Sequence, residues 1–501
     1  MRPERARQTV VTTAAAVLLA GPVVLAFFSG GYFAPARAGA GIGAWALVTV
    51  AVLTRGARPV SHDLAGRRLA LWLAVGGLAG LTAWTFLSIA WAPIAGDAYG
   101  QAQIAMLYLG VLIAAMLLLG GPRVRPWVEP VLAAGAVIVI GYGLSERLVP
   151  GLLHFARSVS AQGRLQQPLT YWNAMGELAA LGFVLCAGVA GNGERPSWQR
   201  MTAVAATAPL GLGLYVSFSR GALFACLAGL VALVVAARSW EQLQAAVLAV
   251  LAGALASVAA APSDAVTSLA GSLSTRERQG ATTLVLLVIV MIAAAVAQRI
   301  IAGRFAGRPL RLGRRAAPAA TLLVCAGLAV AIVAGAKETS GQAALSGGAT
   351  RLVSLQSNRY DYWDVALRAF VTSPLNGVGA GGWSVYWLRW RSVNEFAQNA
   401  HSLELETLAE LGIVGVALLA AFFGGVGLAA RQALASGRGA AGAVGALVAY
   451  VAHSPLDWDW QMPAVTLVAM TLAGYLLALA GTGARGDPAV RAPRRSAAPP
   501  A

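Results

Sequence analysis

The chain has 501 residues, of which 58% are hydrophobic and only 11% charged, and its mean hydropathy is +0.69. A water-soluble domain carries about a quarter charged residues, so a soluble enzyme is excluded, and so is disorder over most of the length. The formal charge of +17 does not point to nucleic acid. The basic residues sit in short clusters between apolar runs, as a membrane protein distributes them, and membrane lipid is the expected surrounding.

Apolar runs long enough to span a bilayer, about 20 residues each, fall near 9–29, 38–54, 69–90, 102–120, 127–145, 173–191, 201–218, 221–237, 242–262, 281–303, 316–336, 404–430, 439–454 and 462–480. The pattern predicts an all-α polytopic integral membrane protein with fourteen transmembrane helices, or twelve if two adjacent runs form one re-entrant hairpin. The first run follows Arg2, Arg5 and Arg7. It is long and lacks a clear cleavage site, so it reads as a span, not a signal peptide. Cys186, Cys226 and Cys325 each lie inside an apolar run, which gives no disulfide framework and no thiolate metal site.

Placing the N-terminus in the cytoplasm puts Arg55/Arg58/Arg67/Arg68, Arg123/Arg125, Arg195/Arg200, Arg238, the cluster Arg299 to Arg315, Arg431/Arg438 and the tail from Arg485 all inside. That satisfies the positive-inside rule with both termini cytoplasmic. The expected organisation is a transmembrane bundle over 1–336, a large extracytoplasmic loop over 337–403 and C-terminal spans over 404–481. A Pro/Ala/Arg-rich tail over 482–501 is expected to be disordered. The expected location is the plasma (inner) membrane.

The long loop holds most of the unusual polar and aromatic residues. Tyr360, Trp363, Leu367 and Phe370 recur at helical spacing, with Asp361, Asp364 and Arg368 on the other side; this predicts an amphipathic helix over 360–372 at a membrane face. The stretch Pro374 to Gly382, with Gly377, Gly379 and Gly381, is able to turn tightly and bring backbone N–H groups to an anion. Trp383, Tyr386, Trp387 and Trp390 offer rings that suit lipid headgroups or sugar faces. His401 precedes the next span, where an imidazole can accept a proton near neutral pH; the plainer reading is a polar helix start.

Arginines on the outside run against the topology rule. Arg164, Arg220 and Arg359 are such residues, and near membrane depth each needs a partner or a ligand. Ion pairs with Asp361, Asp364 or Asp457, or snorkelling to headgroups, answer this singly. Together with His401 on the same side, the three favour an anionic, phosphate-bearing substrate, which the guanidinium fork fits. His453, Asp457 and Asp459 are a weak candidate for a base or metal site. No Walker loop or dinucleotide fingerprint is present. A transporter or flippase of a lipid-linked or anionic solute is the alternative, opposed by the lack of an internal repeat and by unusual residues lying outside, not mid-span.

These residues together resemble the O-antigen ligase / O-antigen polymerase family of membrane glycosyltransferases over roughly 70–480. The resemblance rests on Ser88-Ile-Ala-Trp91, on Gly163-Arg164 through Pro168 to Tyr171-Trp172-Asn173, on Ser219-Arg220-Gly221, on Arg359 with Trp363 and Pro374 to Gly379, and on His401 followed by Glu410-Leu411-Gly412. Ser402 stands where many members carry asparagine. The resemblance implies transfer of a glycan from a polyprenyl-diphosphate-linked donor to a hydroxyl of a glycan or glycolipid acceptor on the extracytoplasmic side, without metal, nucleotide or other cofactor. By position it implies catalytic roles for Arg220, Arg359 and His401. It also implies substrate contacts from Arg164, Asn173, Trp363, Gly377, Gly379, Asp361 and Trp383.

Overall fold

The computed structural model describes residues 2–55, 65–153, 155–156, 158–313, 315–336, 352, 358–437 and 439–481. The predicted tail over 482–501 and most of the loop over 337–357 lie outside the described residues. Among the described residues the secondary structure is helical, with one isolated bridge between Ser239 and Pro309 and no strand. Each of the fourteen predicted runs is met by a helix. Eleven of these are long and apolar enough to cross a membrane, so this is an all-α, multi-pass membrane protein. The other three are Ser197–Val216, which opens with Gln199 and Arg200 in its first turn, Ala316–Ala336, and Ala441–His453, which has only 13 residues.

Two helices form the centre. The apolar window of Trp172–Gly191 is wholly buried and that of Pro463–Gly481 is 94% buried, whereas Leu273–Ile301 is 17% buried and sits at the rim. Small residues permit this, because without a water-driven force between spans, close backbone approach and dispersion do the work. Gly229 shows the effect: a Cβ there would lie 2.8 Å from the Gly445 carbonyl oxygen. That approach sets the helix Arg220–Ala237 against Ala441–His453. The first turn of one and the last turn of the other therefore meet at one end of the bundle.

The loop has a core of its own. Tyr362, Val365, Ala366 and Ala369 bury with Trp383, Trp387, Ala397 and Ala400 in a cluster distinct from that of the bundle. The predicted amphipathic helix is Arg359–Thr372, but its buried face is offset from the Tyr360/Trp363/Leu367/Phe370 stripe. The rings of Trp383 and Trp387 fill the space beneath it, so small side chains face them, while Leu367 stays 47% and Val371 72% exposed. Leu367 and Val371 are thus turned outward, away from the loop core.

The loop is sewn to a broken helix. Leu403–Ala435 is interrupted at Gly412 (φ 66°, ψ −163°), and the segment Pro374 to Val378 enters the gap. Ile413 N–H donates to the Pro374 carbonyl at 3.0 Å, and Val378 N–H to the Ala409 carbonyl at 2.9 Å. Gly377 has φ +68°, and a Cβ on it would meet the Glu410 carbonyl carbon at 2.2 Å. Gly377→Ala is therefore expected to cost about 2–4 kcal/mol. The measurement is the thermal unfolding midpoint of the detergent-purified protein, and an unchanged midpoint would contradict this packing.

Candidate active site

Five stretches far apart in sequence meet at one end of the bundle. Arg359 opens the loop helix and its Nη2 lies 2.6 Å from Asp457 Oδ2; the arginine side chain is 22% exposed and the aspartate fully buried. Asp457 Oδ1 accepts from the Tyr171 hydroxyl at 2.8 Å and from Trp458 N–H at 2.9 Å, and the Tyr171 oxygen accepts from Asn173 Nδ2 at 2.7 Å. Burial alone would raise the Asp457 pKa and lower that of Arg359. Burial is the largest single influence on each, but the partner together with the surrounding groups outweighs it (Tyr171, Tyr362 and Asp459 add to Asp457 at Arg359; His401, His453 and the Tyr171 hydrogen bond add to Arg359 at Asp457), so Asp457 is held below the ordinary carboxylate value and Arg359 above the ordinary guanidinium value.

His401 stands beside this pair. Its ring centroid is 5.0 Å from that of Tyr362 and 6.1 Å from that of Trp458. Its backbone takes φ +53°, a conformation that non-glycine residues adopt mainly where the surroundings impose it. Nδ1 lies 3.0 Å from the Asn399 carbonyl oxygen. A proton on Nδ1 satisfies that contact and leaves Nε2 as the basic nitrogen. Burial lowers the His401 pKa and outweighs the upward pull of Asp457, so the ring is neutral near pH 7.

Arg164 joins the group through aromatics. Its guanidinium lies 3.8 Å from the centroid of the Trp172 ring, and its Nε and Nη2 donate to the Ala161 and Ser160 carbonyls at 2.9 and 2.8 Å. Burial draws its pKa down to about 10. Much of its hydrogen-bonding capacity thus braces its own loop. Beside it opens a cavity of about 160 Å³ of mixed lining, in which Glu146, Gln162, Gln166 and Ser268 stand beside Leu165 and Leu269. Arg220 is the first residue of its helix, capped by Ser219, whose Oγ accepts from Ala222 N–H at 3.3 Å. A Cβ on the neighbouring Gly221 would fall 2.9 Å from His453 Nε2, so Arg220 sits against the segment that carries Asp457.

Other residues singled out in the sequence are placed differently. Trp383 is fully buried, stacked on Trp387 with centroids 5.6 Å apart, and belongs to the loop core. The Gly379 N–H donates to the Glu410 carbonyl, and Gly381 and Trp383 N–H to the Glu410 carboxylate. The acceptor that these amides meet is thus the chain's own carboxyl group. Asp361 accepts a short hydrogen bond from Ser392. Trp363 is half-buried, its ring 5.4 Å from Tyr360. His453 pairs with Asp459 through Nδ1 and lies 3.8 Å from Glu177. Among the described residues no group of three or more His, Cys, Asp or Glu side chains is arranged to hold a metal.

Tyr171 carries a role that sequence reasoning missed, although it lies within the stretch read around Arg164. Asp457 was legible as one of several possible partners for an external arginine and as a weak candidate base or metal ligand, not as the specific mate of Arg359.

Residues 264–420 match a known family model, described as O-antigen ligase. The match takes in Arg359, His401 and Glu410, and leaves Arg164, Asn173, Arg220 and Asp457 outside it. No curated protein matches the chain.

Proposed function

We propose, for a chain that carries the O-antigen ligase domain and so belongs with glycan-transferring membrane proteins, that the donor glycan is carried on a polyprenyl diphosphate and that transfer occurs on the extracytoplasmic side of the plasma membrane. The observation that supports this best is the Arg359–Asp457 pair beside a neutral His401. The acceptor is a hydroxyl of a glycan or glycolipid. Its oxygen attacks the anomeric carbon of the donor as the bond from that carbon to the diphosphate oxygen breaks. The hydroxyl proton passes to His401 Nε2, which general-base catalysis rewards by roughly 10²–10⁴ in rate.

The diphosphate departs with its bonding electrons. Arg359 and Arg220 stabilise the charge that develops on it, a task for which a planar, permanently charged fork is suited and for which no metal is invoked. Asp457 and Tyr171 aim Arg359, and Asn173 holds Tyr171. Arg164 shapes the neighbouring cavity, where saccharide units find amides and hydroxyls to bind. Trp363 and Asp361 lie on the loop helix that covers the donor, while Gly377, Gly379 and Trp383 contribute by holding that loop. Both chain termini are cytoplasmic in this reading.

The test uses purified protein in lipid nanodiscs, with an undecaprenyl-diphosphate-linked oligosaccharide and a glycolipid acceptor. Release of undecaprenyl diphosphate in step with acceptor glycosylation is expected. Passage of the intact lipid-linked glycan across the bilayer with no bond cleaved would replace this reading with a transporter.

A further inference from the structure

Two buried glutamates in the first turns of Leu403–Ala435 do work that the transfer scheme does not use. Glu410 receives Gly381 N–H at 2.8 Å on Oε2 and Trp383 N–H at 3.1 Å on Oε1. Glu406 receives Ala400 N–H at 2.9 Å on Oε2, and Asn399 Nδ2 and Gln461 Nε2 at 3.2 Å each on Oε1. Both side chains are under a tenth exposed. Around them, Ala380 N–H donates to Ser88 Oγ at 3.1 Å and Trp84 Nε1 to the Leu411 carbonyl at 3.0 Å.

The two carboxylates grip opposite ends of the same loop: Glu410 the turn that opens 383–390, Glu406 the two residues immediately before His401. Asn399 is held twice, since its side chain goes to Glu406 and its carbonyl faces His401 Nδ1. The left-handed backbone of His401 is imposed from this side.

We propose that Glu406 and Glu410 are positioning residues: a two-point latch that fixes the loop against the broken helix and sets the direction of the His401 ring. This rests on the reading of His401 as the base. Glu406 acts on the imidazole through Ala400 and Asn399 and touches no substrate, so its loss should slow the chemical step and leave donor binding alone. Misplacement of a catalytic group by about 1 Å costs on the order of 100-fold.

The experiment compares Glu406→Gln, Asn399→Ala and the double variant Glu406→Gln/Asn399→Asp in the nanodisc assay. Glu406→Gln should lower kcat by about 10- to 100-fold with donor KM unchanged. The double variant restores most of the rate, because the new amide donates to the new carboxylate in place of the original donation from Asn399 to Glu406. Wild-type kcat in Glu406→Gln, or a donor KM that rises in step with the fall in rate, overturns the proposal. So does a double variant as slow as the single.

Asn399→Ala deletes one donor and no charge, so it carries the same test if the glutamate variant fails to fold. A lower kcat at constant KM supports the latch and an unchanged kcat refutes it. Amide hydrogen exchange gives a readout independent of turnover: exchange over 395–402 should quicken in Glu406→Gln and over 377–383 in Glu410→Gln, and unchanged protection in both overturns the latch. Normal transfer in His401→Ala would remove the base reading itself. Loss of transfer there with a wild-type Glu406→Gln would remove the latch alone.

Discussion

Arg359→Ala abolishes glycan transfer, with an expected fall of about 10³-fold or more in kcat/KM, while the protein still inserts into the membrane. The loss has two sources. Removing a group aimed at developing negative charge typically costs about 10²–10³ in rate. The substitution also strands Asp457, which is fully buried and paired to Arg359 at 2.6 Å; an unpaired buried charge costs about 3–5 kcal/mol. Fluorescence-detected size exclusion reads the second effect and the transfer assay the first. Arg359→Lys separates them: an ammonium keeps the charge for Asp457 but lacks the fork, so the fold recovers and transfer stays about 10- to 100-fold down. Near-normal transfer in the alanine variant would remove Arg359 from the site.

His401→Ala lowers transfer by about 10²–10⁴-fold, with donor binding intact because the proposed scheme assigns the diphosphate contacts to the arginines. The pH dependence carries the more specific signature. A base works when deprotonated, so rate falls as pH drops through its pKa. Burial holds the His401 pKa below its ordinary 6.5, so activity stays level through neutral pH and declines only on the acid side of that value. Asp457 pulls the same pKa upward and Arg359 pulls it downward. Asp457→Asn removes the upward pull and leaves the arginine unneutralised, so the acid limb of kcat/KM should move to still lower pH. A shift toward higher pH would show that the limb belongs to another group.

Much of the architecture was readable because membrane spans announce themselves by length and apolarity alone: every apolar run found a helix, including 439–454, although that helix is too short to stand with the other candidate spans. Arg164, Arg359 and His401 drew attention because polar residues out of place demand a reason, whereas Asn173 entered only through the family resemblance. Their partners were not legible. Nothing local in Asp457 distinguishes it from Asp361 or Asp364 as the mate of Arg359, since the pairing joins residues 98 positions apart. The glycine-rich turn was read as an anion cradle, but its amides donate to the chain's own side chain, the carboxyl group of Glu410, which arrives from 29 positions away. Trp383 looked like a sugar platform because composition does not say whether a ring covers a cleft or fills a small core. Only the packing of Tyr362, Trp383 and Trp387 settles it.

The separate core of the loop has a consequence for how such a protein can diversify. Tyr362, Ala366, Trp383, Trp387 and Ala397 pack in a small core apart from that of the bundle, joined to it through Ala409 of the helix Leu403–Ala435. In the proposed scheme the cover over the reaction centre is therefore a small packing unit anchored at one edge to the bundle. On that scheme, the outward surface of the unit can be reshaped for a new recipient molecule while the residues proposed to hold the leaving group stay the same.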